Sequence, residues 1–251
     1  MAQRIRGILF DLGDTLLDFG EIDAVKLFAA GAERAYEFLQ QLRQPLPPFR
    51  GYLRRQLRAV RWHYLRSRIT GREFNSLTLI EGFARRFRQE LTREQTLELA
   101  WLWYEPLSRV ATVAEGLPAM LAELRASPLT LGVVSNTFIP AAVLDRHLAQ
   151  VGLLEQLPVR VYSCDVGSRK PRAPIFREAL RRAGLEAPET MFVGDSPRAD
   201  IKGANRMGMV SVLKDTTGRY ANGRVPADHH IASILEMPAI VRRYREAGED
   251  G

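Results

Sequence analysis

The sequence predicts an α/β fold in which a parallel β-sheet is interrupted, after its first strand, by an all-helical insert. From Pro106 onward, short apolar runs alternate with helical patterns, the order typical of βαβ units. From about Glu21 to Arg109, the spacing of apolar residues is helical, with a break at Pro45, Pro47 and Pro48. With 251 residues, of which 46% are hydrophobic and 26% charged, the chain can bury the core that such a fold needs.

The first strand is predicted at Ile5–Phe10, an apolar segment that leads directly into Asp11. A hydrophobic strand that ends in small and acidic residues is typical of a parallel sheet. The insert begins near Glu21, and its first helix carries apolar residues at the spacing of one buried face: Val25, Phe28, Ala32, Tyr36, Leu39 and Leu42. Three further helices are predicted over Tyr52–Ser67, Leu77–Glu90 and Arg93–Tyr104, the last with Thr92 as its N-cap.

The remaining strands and helices alternate. The strands are predicted at Thr130–Val134, Val159–Ser163, Met191–Val193 and Met209–Leu213. The helices are predicted at Leu117–Arg125, Ala141–Gln150, Ala173–Ala183 and Ile234–Arg245, with one more between Pro197 and Gly208. Ser196 is the expected N-cap of that additional helix, because serine accepts a hydrogen bond from the first turn and Pro197 suits the first helical position.

Polar residues follow three of these strands: Asp11, then Ser135 and Asn136, then Asp195. In an open α/β sheet, ligands bind at the carboxyl ends of the strands. Two carboxylates that meet there suit a hard cation such as Mg²⁺, which prefers oxygen ligands. Lys170, just before a predicted helix, adds the positive charge that an anionic group needs. These residues predict a site at one edge of the sheet.

At this point the sequence resembles a known family. The segments FDLGDTL (10–16), VVSNT (133–137), GSRKPRAPIF (167–176) and VGDSPRADIKGA (193–204) resemble, in order and spacing, motifs I to IV of the haloacid dehalogenase (HAD) superfamily. The resemblance covers essentially the whole chain. It implies a Rossmann-like, HAD-like core formed by residues 1–20 and 107–251, and a helical C1-type cap formed by residues 21–106.

The resemblance also implies a function, that of a Mg²⁺-dependent phosphatase that acts on a small phosphorylated metabolite. Asp11 would be the nucleophile that attacks phosphorus and forms an aspartyl-phosphate. The residues implied in catalysis are Asp11, Asp14, Ser135 and Lys170. Those implied in substrate binding are Ser135, Asn136 and Lys170, and those implied in binding Mg²⁺ are Asp11, Gly13 (through its carbonyl), Asp195 and Asp200.

One departure from the family pattern lies in motif I. Phosphatases of the family usually read DxDGT, and the second aspartate is their general acid and base. That position is Gly13 here, and an acidic residue follows one place later, at Asp14. General acid–base catalysis contributes about 10²–10⁴-fold. Three explanations stay open: a shifted acid at Asp14, a leaving group that needs little protonation, or slow turnover. Asp14 is equally compatible with a turn or capping role.

Two other functions remain as alternatives. The first is a metal-free 2-haloacid dehalogenase, in which Asp11 would attack carbon and displace halide. The dehalogenases of the family carry a Ser-Asn type sequence in motif IV, whereas this chain keeps Gly194-Asp195-Ser196 and Asp200, which favours metal and phosphate. The second is a catalytically impaired phosphate-binding or protein-interaction module, which Gly13 motivates.

The chain carries 36 basic and 29 acidic residues, a net charge of +7. Only four of the basic residues are lysines. We interpret this charge as compositional bias over solvated helix faces and not as a nucleic-acid-binding surface. Six arginines of the insert suggest either an anionic substrate or an ordinary outer helix face: Arg54, Arg55, Arg58, Arg61, Arg66 and Arg68. Arg169 and Arg198 are interpreted as solvated.

The remaining features predict the surroundings of the protein. Cys164 is the single cysteine and cannot close an intrachain disulfide, so a cytoplasmic location is the default expectation. No segment approaches the roughly 18 apolar residues of a membrane span, so no membrane partner is expected. The four histidines are interpreted as structural or surface residues. Substrate identity and oligomeric state cannot be predicted from the chain.

Overall fold

The computed structural model describes residues 4–220 and 225–249, and within them a six-stranded sheet in the order β3-β2-β1-β4-β5-β6. All five strand pairs are parallel. The strands are β1 (Gly7–Phe10), β2 (Thr130–Ser135), β3 (Val159–Tyr162), β4 (Thr190–Gly194), β5 (Val210–Lys214) and β6 (His229–Ile231). Because β1 lies between β2 and β4, its carboxyl end is central in the sheet, and the chain that follows it reaches both neighbours.

The helical insert is formed by the first four helices that follow β1 in the chain. They are α1 (Ala24–Gln41), α2 (Phe49–Thr70), α3 (Ser76–Phe87) and α4 (Arg93–Ser108). Gly31 lets α1 approach α4 closely, because a Cβ at that position would lie 2.4 Å from the Trp103 carbonyl oxygen. A small core of the insert, which includes Leu39, Tyr52 and Leu99, holds these helices together.

The other helices cover both faces of the sheet, as parallel strands buried on both faces require. They are α5 (Leu117–Ala126), α6 (Ala141–Gln150), α7 (Ser163–Val166), α8 (Ala173–Ala183), α9 (Lys202–Met207) and α10 (Met237–Glu249). Alternate residues of β1 enter different cores. Ile8 and Phe10 belong to the larger core, whereas Leu9 packs with Ile175 and Phe176 of α8 on the opposite face.

The predicted α/β fold with its helical insert is confirmed, and the differences are local. Helix α4 begins with the predicted Thr92 cap, which forms a capping box with Gln95, but it continues through Pro106 to Ser108. The single predicted helix after Ser196 begins as a π-helical turn, Pro197–Ile201, before α9. Within the described residues, no helix is long and apolar enough to cross a membrane.

Candidate active site

Asp11 lies at the centre of the carboxyl edge of the sheet. It directly follows β1, and its backbone N–H donates to the carbonyl of Val193 in β4 at 2.8 Å. Its carboxylate oxygen Oδ1 accepts from the backbone N–H of Leu12 at 2.7 Å and contacts Nζ of Lys170 at 2.7 Å. No other described residue hydrogen bonds to Oδ2. One oxygen of Asp11 is therefore fixed, and the other is left for a ligand.

Lys170 is the charged group around which the site is arranged. The residue is only 4% exposed. Its Nζ contacts Oδ1 of Asp11 and Oδ1 of Asp200, each at 2.7 Å, and donates to the carbonyl of Val134 at 2.8 Å. Burial opposes the charge of the lysine, but the two carboxylates outweigh burial and raise the pKa of Lys170. The lysine is therefore protonated and held beside Asp11.

Asp200 orients Lys170 from the opposite side. Its side chain is fully buried, and its Oδ2 accepts from the backbone N–H of Ser196 at 3.0 Å. The π-helical turn makes this contact possible, because it returns Asp200 towards the end of β4. Gly194 is required here, since a Cβ at this position would lie 2.4 Å from the Asp200 carboxyl group. Burial is the main cause that raises the pKa of Asp200.

Three carboxylates converge at this edge. One oxygen from each of Asp11, Asp195 and Asp200 lies within 4.8 Å of the others. Burial, followed by the charges of Asp11 and Asp14, raises the pKa of Asp195 to about 6. Clustered carboxylates that repel one another fit a hard divalent cation, and an all-oxygen donor set suits Mg²⁺. Asp11 and Asp195 have oxygens that could contact such an ion directly, whereas both oxygens of Asp200 already have protein contacts.

The two predicted polar residues after β2 have different surroundings. Ser135 is buried at the end of β2. The amide of Asn136 instead contacts the main chain of Lys170 twice: its Oδ1 accepts from the Lys170 N–H at 2.7 Å, and its Nδ2 donates to the Lys170 carbonyl at 3.1 Å. Both polar atoms of the Asn136 amide thus hydrogen bond to the main chain of Lys170.

The backbone of the motif I loop is compatible with the exchanged order of Gly13 and Asp14. Asp14 has φ +55°, in the left-handed region that favours glycine, asparagine and aspartate, whereas Gly13 has no positive φ. A Cβ at position 13 would meet only the Phe19 ring, at 3.6 Å. The backbone therefore does not require glycine at 13. Partial burial is the main cause that raises the pKa of Asp14, opposed by a hydrogen bond from the Phe19 backbone.

Sequence reasoning missed Lys214, which follows the same edge of the sheet at the end of β5. Its Nζ donates to the carbonyls of Asp14 at 2.8 Å and of Thr15 at 3.1 Å, which fixes the motif I loop. The available signal was compositional. Lys214 is one of four lysines in a chain whose other 32 basic residues are arginines, and it directly follows a predicted strand.

Comparison with known proteins agrees with this geometry. A model of the haloacid dehalogenase-like hydrolase family matches residues 5–208. The chain therefore belongs to this family. Its carboxyl-edge arrangement of Asp11, Lys170 and Asp195 lies wholly within the matched residues.

Three similar proteins illustrate the relationship. The glyceraldehyde 3-phosphate phosphatase of Methanocaldococcus jannaschii is 31% identical over 128 residues, which are 50% of this chain and 55% of that protein. The human haloacid dehalogenase-like hydrolase domain-containing protein 3 is 29% identical over 96% of both chains. A HAD phosphatase from Thermococcus onnurineus has a crystal structure that matches 94% of this chain and 98% of its own, with 26% identity and a TM-score of 0.59. The chain spans about half the length of the first curated relatives it matches, 55%, 42% and 56%.

Proposed function

We propose that the protein is a Mg²⁺-dependent phosphatase that hydrolyses a small phosphorylated metabolite through an aspartyl-phosphate on Asp11. The observation that carries the proposal is the Asp11 carboxylate, fixed through one oxygen by Lys170 at 2.7 Å within a cluster that includes Asp195. Relatives named glyceraldehyde 3-phosphate phosphatase and phosphoserine phosphatase support a phosphate ester as the substrate.

In the first step, the free oxygen of Asp11 attacks phosphorus in line, and the bond from phosphorus to the leaving oxygen breaks. Lys170 fixes the carboxylate and places a buried positive charge beside the phosphoryl oxygens. In the second step, water attacks the aspartyl-phosphate, which releases inorganic phosphate and regenerates Asp11. Mg²⁺, held by Asp11, Asp195 and the Gly13 carbonyl, would offset the repulsion between the carboxylate and the phosphate dianion.

The leaving oxygen needs a proton, and Asp14 is the acidic residue nearest to the family's usual position in sequence. Gly13 cannot donate a proton from that position. We therefore propose that the protein prefers aryl and acyl phosphates, because their leaving groups depart with little protonation, over alkyl phosphates.

The helical insert of residues 21–106 is proposed as the cap that selects the leaving group. In this arrangement, the sheet edge would bind the phosphoryl group and the insert would bind the rest of the substrate. Small phosphorylated molecules are the proposed substrates, and neither nucleic acid nor a membrane is a proposed partner. A cytoplasmic location stays a prediction from the cysteine content.

Two alternatives are outcomes of the same test. A metal-free dehalogenase would not need Asp195, which in this structure belongs to the carboxylate cluster. An impaired phosphate-binding module, which Gly13 motivates, would bind inorganic phosphate without turnover.

The test measures hydrolysis of p-nitrophenyl phosphate with and without Mg²⁺. We expect Mg²⁺-dependent turnover that Asp11→Asn abolishes, because a carboxamide is a poor nucleophile at phosphorus. Asp18→Asn is the matched control, since Asp18 is an exposed carboxylate of the same loop whose Oδ1 accepts only from the Gly20 N–H, an acceptor that asparagine retains. Turnover that survives Asp11→Asn, after contaminating phosphatases are excluded, would overturn the mechanism.

A further inference from the structure

Glu73 is a buried carboxylate that the reaction described above does not use. It lies in the segment 71–75, which joins α2 to α3 in the helical insert, and its side chain has no solvent exposure. A buried carboxylate is costly unless it is paired and hydrogen bonded. Besides the N–H of the neighbouring Phe74, the partners of the Glu73 carboxylate lie outside the insert: Arg169 beside Lys170, and Ser163 at the start of α7.

The first partner is Arg169, the residue before Lys170. The Arg169 guanidinium forms an ion pair with Glu73 and is itself largely buried, with 15% of its side chain exposed. It also contacts the hydroxyl of Ser67 in α2 at 3.4 Å. The sequence-based interpretation of Arg169 as a solvated residue is therefore wrong, because its guanidinium turns towards the insert while the next side chain turns into the active site.

The second partner is Ser163, at the start of α7. Its hydroxyl accepts from the backbone N–H of Thr137 at 2.8 Å and lies 3.1 Å from both Oε2 of Glu73 and the Thr137 carbonyl oxygen, either of which can accept its single proton. Thr137 directly follows Asn136, whose side-chain amide hydrogen bonds to both the N–H and the carbonyl of Lys170. Through Arg169 and through Ser163, the Glu73 carboxylate is thus connected to both loops that place Lys170.

Main-chain and ring contacts fix the same segment. The Glu73 N–H donates to the Gly167 carbonyl at 3.3 Å, and the Arg169 N–H donates to the Gly71 carbonyl at 3.1 Å. The Phe74 ring stacks on Phe138, with centroids 5.0 Å apart and planes at 10°. Segment 71–75 is therefore docked on both loops by three kinds of contact, and the Glu73–Arg169 ion pair is the charged contact among them.

We propose that Glu73 is a positioning residue that makes the alignment of Lys170 depend on docking of the helical insert. The inference rests on the proposed phosphatase function, because Lys170 is the group whose placement matters. The insert thus contributes to catalysis through a contact remote from the substrate's leaving group. Loss of the Glu73 charge leaves Arg169 buried without its partner and frees both loops to shift.

The experiment compares Glu73→Gln with Glu105→Gln. Glu105 is a matched control, since it is a largely buried carboxylate of the insert that pairs with Arg34 and Arg109, each at 2.8 Å, and these pairs lie within the insert and its end. Both variants should lose stability. We expect only Glu73→Gln to lower kcat, by about 10–100-fold, since small misplacements of reacting groups cost up to about 10²-fold. KM should change less than kcat.

Hydrogen exchange supplies a readout that does not depend on turnover. Glu73→Gln should speed amide exchange in residues 136–140 and 163–172, and Glu105→Gln should not. A purely structural role predicts faster exchange across the insert in both variants. Equal kcat in the two variants, or equal exchange in these loops, would overturn the inference.

A second variant keeps the test valid if Glu73→Gln alone does not fold. The double variant Glu73→Gln with Arg169→Met removes both buried charges, which recovers stability because no unpaired charge remains. We expect its kcat to stay low, since the docking contact is still absent; a return to wild-type kcat would contradict the proposal. Asp11→Asn distinguishes failure of the phosphatase mechanism from failure of the Glu73 proposal. If Asp11→Asn leaves turnover intact, the phosphatase mechanism is wrong. Amide hydrogen exchange in residues 136–140 and 163–172 would still test the role of Glu73.

Discussion

Charged side chains have different surroundings at the carboxyl edge of the sheet and on the outer face of α2. At the sheet edge, Lys170 is buried and lies between Asp11 and Asp200. Helix α2 carries seven arginines and no acidic residue, and none of these arginines forms an ion pair with a carboxylate in the described part of the chain. A solvated charge interacts weakly with its surroundings, whereas a buried pair is strongly coupled. The net charge of +7 therefore says little about function.

The largest expected effect comes from moving one carboxyl group by one residue within the site. Gly13→Asp with Asp14→Gly restores the common family order. The backbone permits it, because position 13 has room for a Cβ and position 14 has the left-handed φ that glycine adopts. We expect the turnover of alkyl phosphates to rise by about 10²–10⁴-fold, the contribution of a general acid. Turnover of p-nitrophenyl phosphate should change far less.

Asp14→Asn is the decisive comparison for that variant. If it alone lowers alkyl-phosphate turnover by about 10²–10⁴-fold and spares aryl turnover, Asp14 already acts as the shifted acid. The idea that the site lacks a general acid would then be wrong. Thermal melting of both variants must show folded protein before the kinetics are compared.

Removal of the buried cation is expected to have the next largest effect. Lys170→Met should lower kcat/KM by about 10²–10³-fold, the loss typical of one preorganised electrostatic contact. It also leaves Asp200 buried beside an apolar group, which costs stability. Lys170→Met with Asp200→Asn removes that unpaired charge, so stability should recover while activity stays low. Recovery of activity in the double variant would show that Lys170 acts only on folding.

A smaller effect is expected from the carboxylate cluster, and it depends on pH. The pKa of Asp195 is raised to about 6 in the folded protein, above its ordinary value of 3.8, so the folded state binds the proton more tightly. Without Mg²⁺, stability should therefore fall as pH rises from about 4 through 6. Asp195→Asn should remove that part of the loss, which melting curves across this pH range would show.

The effect of Mg²⁺ on the melting temperature gives a second test of Asp195. At pH 7.5 Mg²⁺ should raise the melting temperature of the wild type by a few degrees, through binding to the native state, and should not raise that of Asp195→Asn. An identical Mg²⁺-induced shift in both proteins would argue against Asp195 as a ligand.

The smallest effect is expected on α2. Arg61→Gln and Arg66→Gln change exposed residues, so the free energy of unfolding should change by no more than about 0.5 kcal/mol and kcat/KM should not change. A rise in KM for a multiply charged substrate, with kcat unchanged, would instead show that this face binds an anionic group. In that case the arginines of α2 would contribute to substrate binding, and the difference between α2 and the sheet edge would be smaller.

The sequence predicted the sheet edge well because three strands end at or just before residues of the candidate site. Asp11, Ser135 and Asp195 each follow or end a short apolar run, and parallel strands bring such ends together. Thr92 likewise marked the start of α4, because capping is a local property of the chain.

The features that were missed depend on distant partners or on backbone conformation. Glu73 is 96 residues away from Arg169 in sequence, and a glutamate between two helices has no local sign of burial. Lys214 follows a predicted strand, but its partners are backbone carbonyls 199 and 200 residues earlier, and no sequence pattern identifies those partners. The left-handed conformation of Asp14, which both aspartate and glycine can adopt, was evident only once φ was known.

The covalent intermediate on Asp11 is the central claim, and trapping it is the most direct test. The wild-type protein would be mixed with p-nitrophenyl phosphate and Mg²⁺, quenched in acid within the first turnovers, digested and analysed by mass spectrometry. The account predicts one added phosphoryl group on the peptide that contains Asp11, lost on treatment with hydroxylamine and absent in Asp11→Asn. Continued Mg²⁺-dependent hydrolysis with a phosphoryl group on a different residue would contradict it.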